Sequence, residues 1–139
     1  AVPAPADEGK IVAEVPKYEK TGPDLKAMLK VPRPRVTVGF GGRPTGSIDL
    51  PAEAQPILDV FWSEAIKAAN ARMFEKPANG QAGQQRDMEW FKKITLTQFQ
   101  LTQITIDAPA GKRNLSQTEA TEVCVTLNKA AVEVVKNSR

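Results

Sequence analysis

Two long stretches of the chain carry helical periodicity. Ile57, Leu58, Phe61, Trp62, Ala65, Ile66, Ala69 and Met73 recur every three to four residues, with Asp59, Ser63, Lys67 and Asn70 opposite them. This pattern predicts a helix from Pro56 to Phe74. A proline that deep would break a hydrogen-bond ladder begun at Pro51, so residue 51 is expected to open only a short turn. The second stretch is Ala120, Val123, Cys124, Leu127, Ala130, Ala131, Val134 and Val135, a helix running from Gln117 to Lys136. Ser116 and Glu119 stand at the spacing of a capping box, and Leu115 is placed as its hydrophobic staple.

Other segments favour extended chain. Arg35 to Phe40 (RVTVGF) alternates with β-branched residues and runs into glycines, which predicts a short strand and turn. From Ile94 to Ile106 (ITLTQFQLTQITI), seven of 13 residues are β-branched, and this composition predicts a second strand. Its alternation slips by one residue near Gln98 and again near Gln103, as bulges or burial on both faces would produce. Residues 77–87 (PANGQAGQQRD) read as a loop and Asp107 to Arg113 as a turn.

Residues 1–34 differ from the rest. Six of the 11 prolines fall there, each removing a backbone donor, and large apolar side chains are few. One short helix, Pro23 to Lys30, fits within the segment. The predicted fold is α+β: a small antiparallel sheet packed with two long helices (residues 35–139, one compact domain), preceded by an extended proline-rich arm (1–34) that settles on another surface.

Composition narrows the chemistry. The 139 residues include one cysteine and no histidine, which excludes an internal disulfide, ordinary zinc sites and nucleophile systems built on histidine. No stretch approaches the roughly 18 apolar residues of a spanning helix. The lone thiol favours a cytoplasmic or virion setting over a secreted one. Net charge is only +3, yet no acid stands between Asp24 and Asp49 while Lys26, Lys30, Arg33, Arg35 and Arg43 do. Lys30, Arg33, Arg35 and Arg43 are therefore candidate contacts to phosphate or to an acidic partner, with Phe40 as a single stacking ring. Gly41 to Ser47 (GGRPTGS) has phosphate-loop spacing but lacks the required lysine, so no nucleotide or other cofactor is expected. Cys124, on the apolar face of the last helix, reads as a small buried hydrophobe.

Phe61, Trp62 and Trp90, large aromatics, and Gln98, Gln100 and Gln103, on a strand without protecting charges, form the candidate subunit interface. These features lead to a non-enzymatic assembly subunit of a multi-chain particle, a virion or phage structural protein being the model, with the arm docking on neighbouring subunits. No small-molecule substrate and no catalytic or metal-ligating residue is assigned. The alternative is a small nucleic-acid-binding protein using the basic segment 25–48.

Overall fold

Among the described residues, four helices and two small antiparallel sheets form the α+β architecture that the periodicity predicts. The computed structural model describes residues 9–22, 24–40, 47–74 and 80–138. The first sheet has the order β1 (Lys10–Glu14), β2 (Arg35–Gly39), β3 (Ile48–Asp49), with Ile11 paired to Val38 and Thr37 to Asp49. Ile11, Val36 and Val38 are buried beneath it. The second sheet is a hairpin of β4 (Thr105–Ala108) and β5 (Gly111–Asn114). Gly111 lies at φ +129°, a conformation that residues with a Cβ rarely adopt, so the connection needs glycine there. The turn expected over 107–113 is thus confined to Pro109 and Ala110, because Asp107 pairs with Lys112 across the hairpin.

The helices are α1 (Leu25–Leu29), α2 (Gln55–Phe74), α3 (Gly80–Leu101) and α4 (Gln117–Asn137). Asp24 caps α1 by accepting from the Lys26 N–H at 3.0 Å, and a short 3₁₀ turn at Ala52–Ala54 leads from Pro51 into α2. α4 is the hub, packed against α2, α3 and β1. Its Ala120, Val123, Leu127, Ala131 and Val135 are wholly enclosed. Each large aliphatic side chain so placed contributes roughly 1.5–3 kcal/mol relative to exposure.

Two expectations are corrected. The described part of the supposed arm is not separate from the domain: β1 hydrogen-bonds along β2, Met28 is fully buried, and the Trp62 indole donates to the Val31 carbonyl at 3.1 Å. Its prolines do not prevent this, because the β1 stretch itself, KIVAE, contains none. Residues 1–8 lie outside the described part.

The second correction is larger. The expected loop (80–87 of it described) and the expected Ile94–Ile106 strand as far as Leu101 merge into one 22-residue helix, α3, and of that strand only Thr105 and Ile106 are extended, in β4. Three long helices therefore replace the predicted two. Trp90, Ile94, Thr97 and Leu101, spaced four, three and four apart, turn inward, so the apparent slip near Gln98 is a helical period, while the one near Gln103 falls in the turn that follows the helix. The threonines adapt: the hydroxyls of Thr95, Thr97 and Thr102 donate to the carbonyls of Phe91, Lys93 and Phe99 at 2.9, 2.8 and 2.6 Å.

Gly9, just before β1, tests how tightly this end is assembled. A Cβ there would collide with the Val38 Cγ1 and stand 2.8 Å from the Glu119 Oε2. Gly9→Ala should therefore destabilise the protein by about 1–3 kcal/mol, the usual cost of overpacking, read as a lowered urea midpoint.

Candidate interaction surface

Sequence reasoning nominated aromatics, glutamines and cations, and the structure separates them. Phe61, Trp62 and Trp90 belong to the interior and are no interface in this chain. Phe61 stacks on Trp90 with ring centroids 5.3 Å apart, and Trp62 stacks on Tyr18 at 6.3 Å. The large rings were placed in the core by the wide apolar face of α2, which α3 and α4 cover together.

Gln98 and Gln100 stand on α3 and Gln103 in the turn after it, not on an unprotected strand; Gln98 is half-buried, Gln100 and Gln103 are exposed.

Two of the cations are paired with acids of the same chain. Arg33 donates from Nε to Asp59 at 2.8 Å and from a terminal nitrogen to Gln55 at 2.5 Å. Arg35 grips Asp49 with two hydrogen bonds of 2.7 Å, and Glu14 lies 3.8 Å away. One arginine thus ties together β1, β2 and β3. The hydrogen bond to Arg35 holds the Asp49 carboxyl below its usual range, and the same bond raises Arg35. Arg33, Arg35, Asp49 and Gln55 line a hollow of about 410 Å³, in which donors of both arginines are already bound by protein acceptors. Lys30 is exposed, and Arg43 lies outside the described residues.

Burial pushes the Cys124 thiol up to about 12, far from a thiolate nucleophile, and the Tyr18 phenol up to about 12 as well. Glu64 and Glu89 share a hollow between α2 and α3 of about 210 Å³, below the roughly 300–1,000 Å³ of small-molecule sites. Lys93 and Lys67 approach Glu64 at 2.5 and 3.8 Å. Among the described residues no group of three or more Cys, Asp or Glu is placed to hold a metal ion, and no helix is long and apolar enough to cross a membrane.

What the sequence did not reveal is the outward side of α3. Met88, Phe91, Leu96 and Phe99 are 61%, 67%, 56% and 62% exposed. Met88, Phe91, Thr95 and Phe99 follow one another by three, four and four residues, so they line one side of the helix, and Leu96 flanks them. This side lies opposite Trp90, Thr97 and Leu101. Scattered exposed apolar residues are ordinary, but several in a row on one helix mark a contact surface. The helix is well seated for such a role: Lys93 pairs with Glu64, Asp87 lies 3.5 Å from Arg72, and Arg86 donates to the Ala71 carbonyl at 3.2 Å. The signal lay in the sequence, but only a helical reading of residues 88–99 gathers these side chains; a strand reading disperses them over two faces.

No family model, curated protein or solved structure matches this chain.

Proposed function

We propose that this protein is a non-enzymatic assembly subunit, a building unit of a multi-chain particle, and that it meets its neighbours through the outward side of α3. The observation that carries this reading is the row Met88, Phe91, Leu96 and Phe99, four large apolar side chains left more than half in water on a helix otherwise anchored to the core. Water-exposed aromatics are enriched where proteins meet, and their removal from water drives association. The arm no longer carries the reading, since residues 10–14 and 25–29 are consumed by the domain's own sheet and core. Deleting residues 1–30 would remove β1 and Met28 and so test folding, not association.

The nucleic-acid alternative loses support from the same geometry, as Arg33 and Arg35 spend their charge on Asp59 and Asp49.

The test is the double variant Phe91→Glu/Phe99→Glu. Both positions are exposed, so the helical spectrum and melting temperature should stay close to those of the parent chain. Light scattering should show the parent chain as an oligomer and the double variant as a monomer at the same concentration. An unchanged mass for the double variant contradicts the assignment of this surface.

A further inference from the structure

We infer that the outer edge of β1 is a second contact surface, which pairs antiparallel with β1 of a second copy about a two-fold axis at Val12 and joins the two three-stranded sheets into one. This goes beyond the α3 reading and stands on different residues.

β1 is outermost in its sheet, and among the described residues no strand lies on its far side. The Thr37 hydroxyl donates to the Val12 carbonyl at 3.4 Å, so the backbone of Val12 faces β2. Backbone groups alternate in direction along an antiparallel ladder, which turns the N–H and C=O of Ile11 and Ala13 outward. Among the described residues these outward groups have no hydrogen-bond partner. Ile11 accordingly keeps 8% exposure where Val38, opposite it on the central strand, keeps none. A row of unpaired N–H and C=O groups is a template for a further strand.

Charge selects the occupant and its direction. The strand reads KIVAE, and Lys10, Val12 and Glu14 share its exposed face, with opposite charges at the two ends and an apolar residue midway. In the antiparallel register Lys10 meets Glu14 of the partner subunit, Glu14 meets Lys10 of the partner subunit, and Val12 meets its own copy. A parallel pair would set each charge beside its like, which destabilises a strand pair. Glu14 already lies 3.8 Å from Arg35, and Arg35 is bonded to Asp49, whereas Lys10 makes no ion pair among the described residues. Lys10 of the partner subunit therefore extends a row of alternating sign across the sheet, after Asp49, Arg35 and Glu14. The arrangement is self-complementary, as a two-fold contact must be.

Five residues a side bury far less than the roughly 1,200–2,000 Å² of a standard interface. The β1 pair is thus a weak link that acts between copies gathered by another surface, where the effective concentration is high.

The test uses the full chain with Val12→Cys, an exposed position, so the helical spectrum should match that of the parent. The native Cys124 is buried, and the parent chain serves as the background control. Facing Cα atoms of a non-hydrogen-bonded antiparallel pair lie about 4.5 Å apart, within disulfide reach. Oxidised with oxidised glutathione at high protein concentration, Val12→Cys should become a linked dimer as its main species. Val15→Cys, which is more exposed but lies far from its own copy in this register, should remain mostly unlinked. Adding Lys10→Glu to Val12→Cys places like charges opposite Glu14 of the partner subunit and should abolish most of the linked dimer. Equal linking of Val12→Cys and Val15→Cys overturns the pairing, as does linking of Val12→Cys that Lys10→Glu leaves undiminished.

Discussion

Replacing Glu119 by Ala is expected to cost about 3–5 kcal/mol, the range for breaking a buried ion pair by removing one partner, and about a fifth or more of the roughly 5–15 kcal/mol that holds a typical domain together. Glu119 is fully buried at the start of α4. It completes the capping box with Ser116, accepting from the Ser116 N–H at 2.9 Å while the Ser116 hydroxyl accepts from the Glu119 N–H at 3.1 Å. Its two oxygens also accept from Arg113 on β5 at 2.6 and 2.9 Å, and Oε2 accepts from the Gly9 N–H at 2.8 Å. One carboxylate therefore joins the entry to β1, the β4–β5 hairpin and the helix at the centre of the fold. Removing it leaves the Arg113 charge and two backbone donors without that partner. A urea titration of Glu119→Ala reads the loss directly, and a change below 1 kcal/mol would contradict the role.

The same residue sets a pH dependence. Burial is the largest single influence on Glu119 and favours its neutral form, but hydrogen bonds from Arg113, the Ser116 amide and the Gly9 amide, with the charge of Arg113, outweigh it. The carboxyl is held below its ordinary value of 4.5. The unfolded chain therefore takes up this proton at higher pH than the folded one. The stabilisation is complete above pH 4.5 and is lost as the pH falls from there through the folded value. The parent chain should lose stability over that acid range more steeply than Glu119→Gln, which has no proton to gain at this site.

Phe61→Ala is expected to cost a further 3–5 kcal/mol in its own right, as large-to-small changes at enclosed aromatics do. Phe61 is 1% exposed, and its ring stacks on Trp90, so the change empties the joint between α2 and α3. Its neighbour in sequence, Val60, is 65% exposed, and Val60→Ala should stay within about 0.5 kcal/mol. The contrast between adjacent positions tests the orientation of α2, and equal effects at the two would contradict it. The Trp90 emission should also shift to longer wavelength in Phe61→Ala as water reaches the indole.

The parts of the fold legible in sequence were those where local chemistry and packing agree. α4 was readable from its Ser116–Glu119 cap and its clean apolar stripe, and α2 from the run Ile57 to Met73. α3 was hidden because local preference and final conformation conflict: Thr95, Thr97 and Thr102 favour strands, and the helix wins by burying Trp90, Thr97 and Leu101 against α2 and α4. β1 was hidden for a different reason. Its alternation spans only five residues among prolines, and its worth depends on β2, some 20 residues later. The proposed contact surface shared the fate of α3, since Met88 joins Phe91 and Phe99 on one face only once the segment is helical. The basic segment misled because sequence shows cations but not the acids the fold brings to them: Asp49 reaches Arg35 from the next strand, and Asp59 reaches Arg33 from α2.

The central claim is that the outward side of α3 holds copies of this chain together. Sedimentation of the unmodified protein over a hundredfold range of concentration tests it most directly. The expected result is a species at twice the 15.1 kDa chain mass that dissociates on dilution. A single 15.1 kDa species throughout, with Phe91 and Phe99 still in water, would contradict it.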